Sequence, residues 1–209
     1  MGQKKYHHGD LKNALINAGI AILAEEGAGA LSLRKVARRA GVSHAAPYAH
    51  FADKQTLIAA IAADGHRQIY ARLTAVMEND AGDVRSLFLH AVWAYVQFGL
   101  DSPAHYRVTF SGVIQDEHSY PEFVELSQRN LNLLKEIVEQ CRSAGILAED
   151  GVDADVQAAV LWGLIHGLVS LMIQGQLPSG LLSQNPPETL VIAMLRQIVR
   201  VPISEEMLK

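Results

Sequence analysis

The chain has 209 residues, of which 49% are hydrophobic and 19% are charged, and this composition excludes a disordered or collagen-like protein. A chain of this length buries about 70% of the surface that its unfolded form exposes, so its core needs neither a disulfide nor a metal. The one cysteine, Cys141, cannot form an internal disulfide, and the first residues lack the apolar run of a signal peptide. We therefore expect a cytoplasmic protein.

Charge divides the chain into two parts. The formal net charge is −4, yet residues 1–55 hold eight Lys or Arg and only four acids, whereas the remainder holds ten and eighteen. A basic segment attached to an acidic body is typical of a protein that meets nucleic-acid phosphates with one end. A basic surface that is merely solvated fits the same numbers, so charge alone leaves both interpretations open.

Apolar periodicity predicts helices along almost the whole chain, and we find no convincing alternating strand. The first helix follows Asp10 as its N-cap and ends near Gly27. Ser32 caps a short second helix, Ser43 caps a third that runs to Phe51, and a fourth extends from Asp53 to about Asn79. Later helices, bounded by Gly and Pro, are predicted at 83–100, 103–113, 121–144, 153–174 and 187–200. The expected fold class is all-α.

Residues 32–51 fit a helix-turn-helix, the motif that presents a short helix to the major groove of DNA. Gly41 supplies the turn, and Val42 fills the corner between the helices. Pro47 and Phe51 are expected to face inward. Because Pro47 removes at most one hydrogen bond from the first turn, we expect the helix to continue through it. A packing unit of three helices without DNA is the alternative, and the turn together with the positive charge favours DNA binding.

This region resembles the N-terminal signature of TetR/AcrR-type transcriptional regulators. The resemblance covers about residues 8–60 and depends on the segment SLRKVARRAGVS at 32–43 and on the positions that follow it: Tyr48, His50, Phe51, Lys54 and Leu57. Farther along, three residues resemble the Trp-His-Gly signature of one C-terminal subclass: Trp162, His166 and Gly167.

The resemblance implies a homodimer that binds a palindromic operator in double-stranded DNA through two such heads. Residues 1–55 would form the helix-turn-helix domain, and a continuous fourth helix would join it to a helical domain for ligand binding and dimerisation, residues 56–209. The matched positions that touch phosphates are Ser32, Tyr48, His50 and Lys54. Those presented to bases are Ser43, His44, Ala45 and Ala46.

Residues 43–51 contain no Arg, Asn or Gln, which are the side chains that bind guanine or adenine through two hydrogen bonds. Sequence specificity would then come from Arg34 or Lys35, from Lys4 and Lys5 as a minor-groove arm, or from DNA shape. No cofactor is implied. The histidines of the body have no His partner at helical spacing, so we also expect no metal site.

We expect a pocket for a small, largely apolar effector in residues 56–209. Its candidate walls are Trp93, Phe98, Tyr106, Phe110, Trp162 and Met172, with His166 as the polar group that orients the ligand. Each of these side chains can equally belong to the core, and His166 can be a hydrogen-bonded core histidine.

Residues 156–173 carry no charged side chain, which by length alone suits a membrane span. Small residues four apart on this helix instead favour a tight interface between two copies of the chain in a four-helix bundle. The residues assigned to that interface are Ala159, Gly163, Gly167, Leu190 and Leu195. We expect no membrane partner.

These features predict a regulator without enzymatic activity, most simply a repressor that its effector releases from DNA. A constitutive DNA-binding regulator or activator without an effector is the alternative. A small helical enzyme is a third, although the sequence contains neither a nucleophile elbow nor a phosphate-binding glycine loop.

Overall fold

The computed structural model describes residues 8–80, 82–114, 116–148, 151–178 and 180–208. Lys4 and Lys5, the predicted minor-groove arm, lie outside the described residues. Within these ranges the α-helices are α1 His8–Glu26, α2 Leu33–Arg39, α3 Lys54–Asn79, α4 Val84–Asp101, α5 Pro103–Thr109, α6 Pro121–Ser143, α7 Ala154–Ile173, α8 Leu181–Gln184 and α9 Pro187–Leu195. Short 3-10 helices lie at Ala28–Ala30, Ala46–Ala49, Glu117–Ser119 and Glu205–Leu208.

The predicted all-α class is confirmed. No strand occurs in the described ranges, and the one bridge outside the helices pairs Leu147 with Val199. The predicted continuous fourth helix is α3. Two of the later helices are shorter than predicted. Helix α5 ends at Thr109, because the chain turns there and Gly112 adopts a left-handed φ of 62°. Helix α9 ends at Leu195, where the backbone bonds shorten to three residues: the Gln197 N–H donates to the Met194 carbonyl at 3.1 Å and the Ile198 N–H to the Leu195 carbonyl at 3.0 Å.

The described chain divides into two compact units. Unit 1 comprises residues up to 67 together with 102–127, and unit 2 comprises 68–101 together with 128–208. Helices α3 and α6 each contribute residues to both units. The boundary after residue 55 was predicted from the distribution of charge. That residues 1–55 bind DNA and residues 56–209 bind the effector and dimerise stays a prediction. Packing adds α5 and the start of α6 to the unit that contains the helix-turn-helix.

One apolar core holds unit 1 together. Helix α1 buries Leu15, Ala18 and Ile22, which pack with the inward faces of α2 and of the first half of α3, whereas Leu11 and Ala14 are half-buried. Fully buried members of this core are Leu15, Ile22, Val36, Phe51, Leu57 and Ile61. Burial of large apolar side chains on this scale supplies the main driving force for folding.

Helix α5 packs very closely on α3 at Gly65. A Cβ added to Gly65 would lie 1.9 Å from Oγ1 of Thr109 and 3.0 Å from its Cβ. One turn earlier on α5, Nε2–H of the buried His105 donates to the carbonyl of Ile61 on α3 at 2.9 Å. Burial lowers the pKa of His105. The two helices are thus held by a glycine-dependent contact and by one inter-helical hydrogen bond.

His66, which follows Gly65 in α3, is also buried. The ring of His66 packs with its edge towards Phe110 and Phe123, at centroid distances of 5.5 and 5.4 Å. Burial lowers the pKa of His66 to about 4, so the ring is neutral near neutral pH.

Ion pairs also join the helices of unit 1 at their surface. Glu122, in the first turn of α6, pairs with Lys12 of α1 at 3.4 Å and with Arg67 of α3. Arg67 also donates to Asp64 at 2.8 Å. One carboxylate thereby connects three helices.

In unit 2, α4 packs against α7, and α9 packs against α7 and the C-terminal 3-10 helix. The core includes Val96, Phe98, Val169 and Ile192. Leu195 was predicted to face a second copy of the chain, and this assignment is wrong. Its side chain is completely buried within its own chain, so it has no surface left to offer a partner. Burial likewise raises the pKa of the Cys141 thiol to about 12.

We predict that Gly65→Ala destabilises the protein. The added methyl overlaps the buried Thr109 side chain, and overpacking of this kind costs about 1–3 kcal/mol. Because the contact would be as short as 1.9 Å, we expect a cost in the upper part of this range, above the gain of about 1 kcal/mol in helix propensity. Urea denaturation should therefore give a lower midpoint for this variant.

Thr109→Ala removes two of the three close atoms, so adding it to Gly65→Ala should recover part of the loss in a double-mutant cycle. Gly29→Ala is the control, because a Cβ at Gly29 meets open space. A Gly65→Ala protein as stable as the wild type would contradict the close approach of α3 and α5.

Candidate nucleic-acid interface

The first helix of the predicted motif forms as expected. The Ser32 hydroxyl caps α2 by accepting the Lys35 N–H at 3.3 Å. Leu33, Val36 and Ala37 are buried, so the charged side chains between them lie outward. Of the predicted contact residues on α2, Arg34 is exposed and Lys35 is half-buried.

The turn of the motif depends on Gly41. Its φ of 70° is left-handed, which a glycine adopts without steric strain. The Val42 N–H then donates to the Ala37 carbonyl at 3.0 Å and closes the end of α2.

The predicted third helix is not an α-helix, so the expectation of a helix from Ser43 to Phe51 was wrong. The segment contains only the 3-10 helix Ala46–Ala49. Pro47 has no N–H to donate to the Ser43 carbonyl, and that carbonyl accepts the Ala46 N–H at 3.0 Å instead. The Tyr48 N–H likewise bonds three residues back, to the Ala45 carbonyl. Pro47 thereby tightens the turn that we expected it to leave intact.

The inward and outward sides of this segment are nevertheless those predicted. Pro47 and Phe51 are buried, and Tyr48 is 55% exposed. The remaining predicted contact residues are exposed or half-buried: Ser43, His44 and Ala45 are exposed, and Ala46 and His50 are half-buried.

Helix α3 begins directly after this segment with a strong cap. Asp53 Oδ1 accepts the Thr56 N–H at 2.8 Å and the Thr56 hydroxyl at 2.9 Å, and these bonds lower the pKa of Asp53. Lys54, in the first turn, donates from Nζ to the Ala28 carbonyl at 2.9 Å. This bond uses one of the three ammonium protons.

Two cations of α2 are paired with acids at the end of α1. Lys35 donates to Glu26, and Arg39 donates to Glu25 through both terminal nitrogens. The hydrogen bond from Arg39 lowers the pKa of Glu25. These two positive charges are compensated within the unit.

The residues predicted to line an effector pocket fall into both units. Tyr106 and Phe110 belong to unit 1, with ring centroids 5.0 Å apart. The other five belong to unit 2: Trp93, Phe98, Trp162, His166 and Met172. Phe98, Tyr106 and Met172 are buried core side chains, whereas Trp93 and His166 are half-buried and Trp162 is 41% exposed.

Sequence reasoning missed Tyr95, which joins two of these residues. The Trp162 Nε1–H donates to the Tyr95 hydroxyl at 3.1 Å, and that hydroxyl lies 2.9 Å from Nδ1 of His166. The hydroxyl has one proton and two acceptor lone pairs, so whether it donates to Nδ1 or accepts from it depends on the tautomer of the neutral ring. Burial lowers the pKa of His166, in agreement with the neutral form.

Helix α7 has apolar residues on opposite faces. Ala158, Leu161 and Ile165 lie on the buried face. The opposite face exposes Val156 by 53% and Val160 by 57%, and also exposes Leu164 and Leu171. Here Gly163 has open space at its Cβ position, as does Gly167. By length and composition alone α7 could also cross a membrane. Only 28% of its most apolar 18-residue stretch is buried within the protein.

No group of three or more His, Cys, Asp or Glu residues in the described ranges is arranged to hold a metal ion.

Two family models match the chain. The one described as "Bacterial regulatory proteins, tetR family" matches residues 15–61, and the one described as "Tetracyclin repressor-like, C-terminal domain" matches residues 88–198. A comparison with curated proteins gave no match.

Several solved structures share the fold. A protein of unknown function from Rhodococcus sp. RHA1 is 29% identical, with a TM-score of 0.74 over 95% of this chain and 100% of that one. The fatty acid degradation regulator FadR from Bacillus halodurans is 18% identical, with a TM-score of 0.73 over 92% and 95%. A tetR-family regulatory protein from Rhodococcus RHA1 is 23% identical, with a TM-score of 0.70 over 94% and 98%.

The second family model alone spans more than half of the chain, and the residues matched by the first include the helix-turn-helix described above. The chain belongs to the TetR family and is a DNA-binding transcriptional regulator, not an enzyme.

Proposed function

We propose that this regulator is a cytoplasmic homodimeric repressor, which binds a palindromic operator and is released by a small, largely apolar effector. The proposal rests on the presence of two features in one chain. Unit 1 contains an exposed helix-turn-helix, and in unit 2 one apolar face of α7 is exposed. A constitutive regulator without an effector is the second candidate, because the half-buried rings of unit 2 can also be core side chains.

The DNA contacts that we propose are made by residues of the motif that are exposed or half-buried. Tyr48, His50 and Lys54 bind phosphates, together with Ser32 at the start of α2. Lys54 suits this role because it lies at a helix N-terminus, which favours anions, and keeps two ammonium protons. The base edges are contacted by Arg34 and by residues 43–46, of which only Ala46 is half-buried and the others are exposed. Lys35 is the weakest candidate, since Glu26 already compensates its charge.

We propose that the outer face of α7 forms the dimer interface, with Ala159, Gly163 and Gly167 at the closest approach and Leu190 of α9 at its edge. A helix that is apolar on all sides is stable in water only when both faces are covered. Its inner face packs within the chain, and a second copy would cover the outer one. Two-fold symmetry then gives two heads, whose binding energies combine on a palindrome.

Gly163→Leu tests this interface. Within one chain a side chain at this position meets open space, and leucine favours helix more than glycine does, so the folded chain is not strained. Between two copies the same side chain blocks the close approach. We expect a helical monomer by sedimentation and circular dichroism, with at least tenfold weaker binding to a selected operator.

Gly82→Leu is the matched control, because it adds the same side chain at an exposed glycine outside α7. It should leave the dimer intact. A Gly163→Leu protein that stays dimeric and binds DNA normally would show that the two copies meet elsewhere.

We place the effector site around Tyr95, Trp162 and His166, with Trp93 as a further candidate wall. The hydrogen-bonded chain from Trp162 to His166 gives polar groups beside half-buried aromatic rings, which is the usual make-up of a small-molecule site. Two members of this hydrogen-bonded chain, Trp162 and His166, are residues of the Trp-His-Gly signature, so we also propose that the protein belongs to that subclass. Because α3 is continuous from Lys54 into unit 2, a shift at its end in unit 2 is transmitted along the helix axis to the head.

Tryptophan fluorescence can detect the effector, since Trp93 and Trp162 are the two tryptophans of the chain. Using Trp93→Phe protein, so that Trp162 alone reports, we expect some members of an apolar compound library to change the emission and to weaken DNA binding. Tyr95→Phe keeps the ring but removes the bonds to Trp162 and His166. It should change the affinity of such a compound by roughly tenfold, equivalent to about 1.4 kcal/mol.

DNA affinity without a compound should be the same for the Tyr95→Phe and wild-type proteins. If no compound changes either DNA affinity or emission while DNA binding is normal, the constitutive regulator is the better account.

A further inference from the structure

We infer that Arg38 of α2 binds the DNA backbone next to Arg34, whereas Lys35 and Arg39 of the same helix hold α2 against α1. Arg38 was not among the contacts predicted from the sequence. The inference rests on the DNA binding of this head, and it divides four neighbouring cations into two pairs with different tasks.

The helical periodicity separates the two pairs. Successive side chains of an α-helix are about 100° apart, so residues four apart share a face. Arg34 and Arg38 therefore lie on one flank of the outward side of α2, and Lys35 and Arg39 lie on the other. The inward side, between the flanks, is the buried face at Leu33, Val36 and Ala37 described above.

The flank with Lys35 and Arg39 faces the end of α1. Glu25 and Glu26 are the last two residues of α1, and each binds one of these cations. The net charge of this flank is zero. A phosphate that approached it would meet two carboxylates as well as two cations, so the attraction would be small.

The flank with Arg34 and Arg38 carries two uncompensated charges. Both side chains are exposed, and among the described residues neither has an acid within ion-pair distance. Two like charges four residues apart on a helix repel each other. A phosphate group lowers that repulsion and binds guanidinium through two hydrogen bonds. Arg34 already lies among the residues assigned to the operator, and Arg38 extends the same flank by one turn.

Salt dependence distinguishes the two flanks. Each cation that neutralises a phosphate adds about 0.9 to the slope of log affinity against log salt. Binding to a fluorescent random duplex of about 30 bp is measured by anisotropy between roughly 50 and 200 mM NaCl. We expect Arg38→Gln to lower the slope by about one for each head that contacts the duplex, and to weaken binding several-fold at the lowest salt.

The double variant Glu25→Gln with Arg39→Gln is the matched control. It removes Arg39, the neighbour of Arg38, together with Glu25, the acid that Arg39 pairs with, so the net charge of the chain is unchanged. We expect the wild-type slope with a lower melting temperature, whereas Arg38→Gln should melt as the wild type does.

An Arg38→Gln protein with the wild-type slope would overturn the inference, as would a double variant that loses as much slope as Arg38→Gln. A wild-type protein that binds the duplex at no salt concentration would instead overturn the DNA-binding function itself. The two failures are therefore distinguishable.

Discussion

The close approach of α3 and α5 at Gly65 is the constraint on which the DNA-binding unit depends. It leaves no room for a side chain between the helices, and with the bond from His105 to the Ile61 carbonyl it fixes α5 at one place along α3. As a result residues 102–127 belong to the same unit as the helix-turn-helix. Glu122 extends the connection to α1 at the surface. A displacement of α5 therefore acts directly on α3, about three turns from the residue that begins it.

A second constraint acts on α7. Its composition satisfies the length and hydropathy of a membrane span, yet one of its faces packs inside the chain. Because the chain belongs to a family of DNA-binding regulators, we propose that protein and not lipid covers the second apolar face of α7. One face contributes to the core, and the other suits a second copy of the chain. The open glycines on the outer face permit the close backbone approach that a symmetric bundle requires.

The sequence predicted the helices well where periodicity and capping agreed. Ser32 caps α2 as expected, and α3 begins next to Asp53, where the fourth helix was predicted to start. The N-cap predicted at Asp10 was wrong, because α1 begins at His8. The prediction of an α-helix from Ser43 to Phe51 was wrong because Pro47 lacks an N–H, and a 3-10 helix forms instead. The prediction for Leu195 was wrong because periodicity identifies an apolar face without saying which partner covers it. Tyr95 carried no sequence signal, since its role depends on two residues more than sixty positions away. The ion pairs of α2 likewise required the geometry, because four adjacent cations look equivalent in a sequence.

Selection of bound sequences from a randomised duplex library by the wild-type protein tests whether two copies of this head bind DNA as a two-fold symmetric pair. We expect enrichment of an inverted repeat, with half-site centres separated by about one helical turn or a multiple of it. The symmetry should be present although residues 43–51 hold few base-reading side chains, because it derives from the dimer and not from the contacts. Enrichment of a single sequence element without a symmetric partner, or of no sequence at all, would contradict the account.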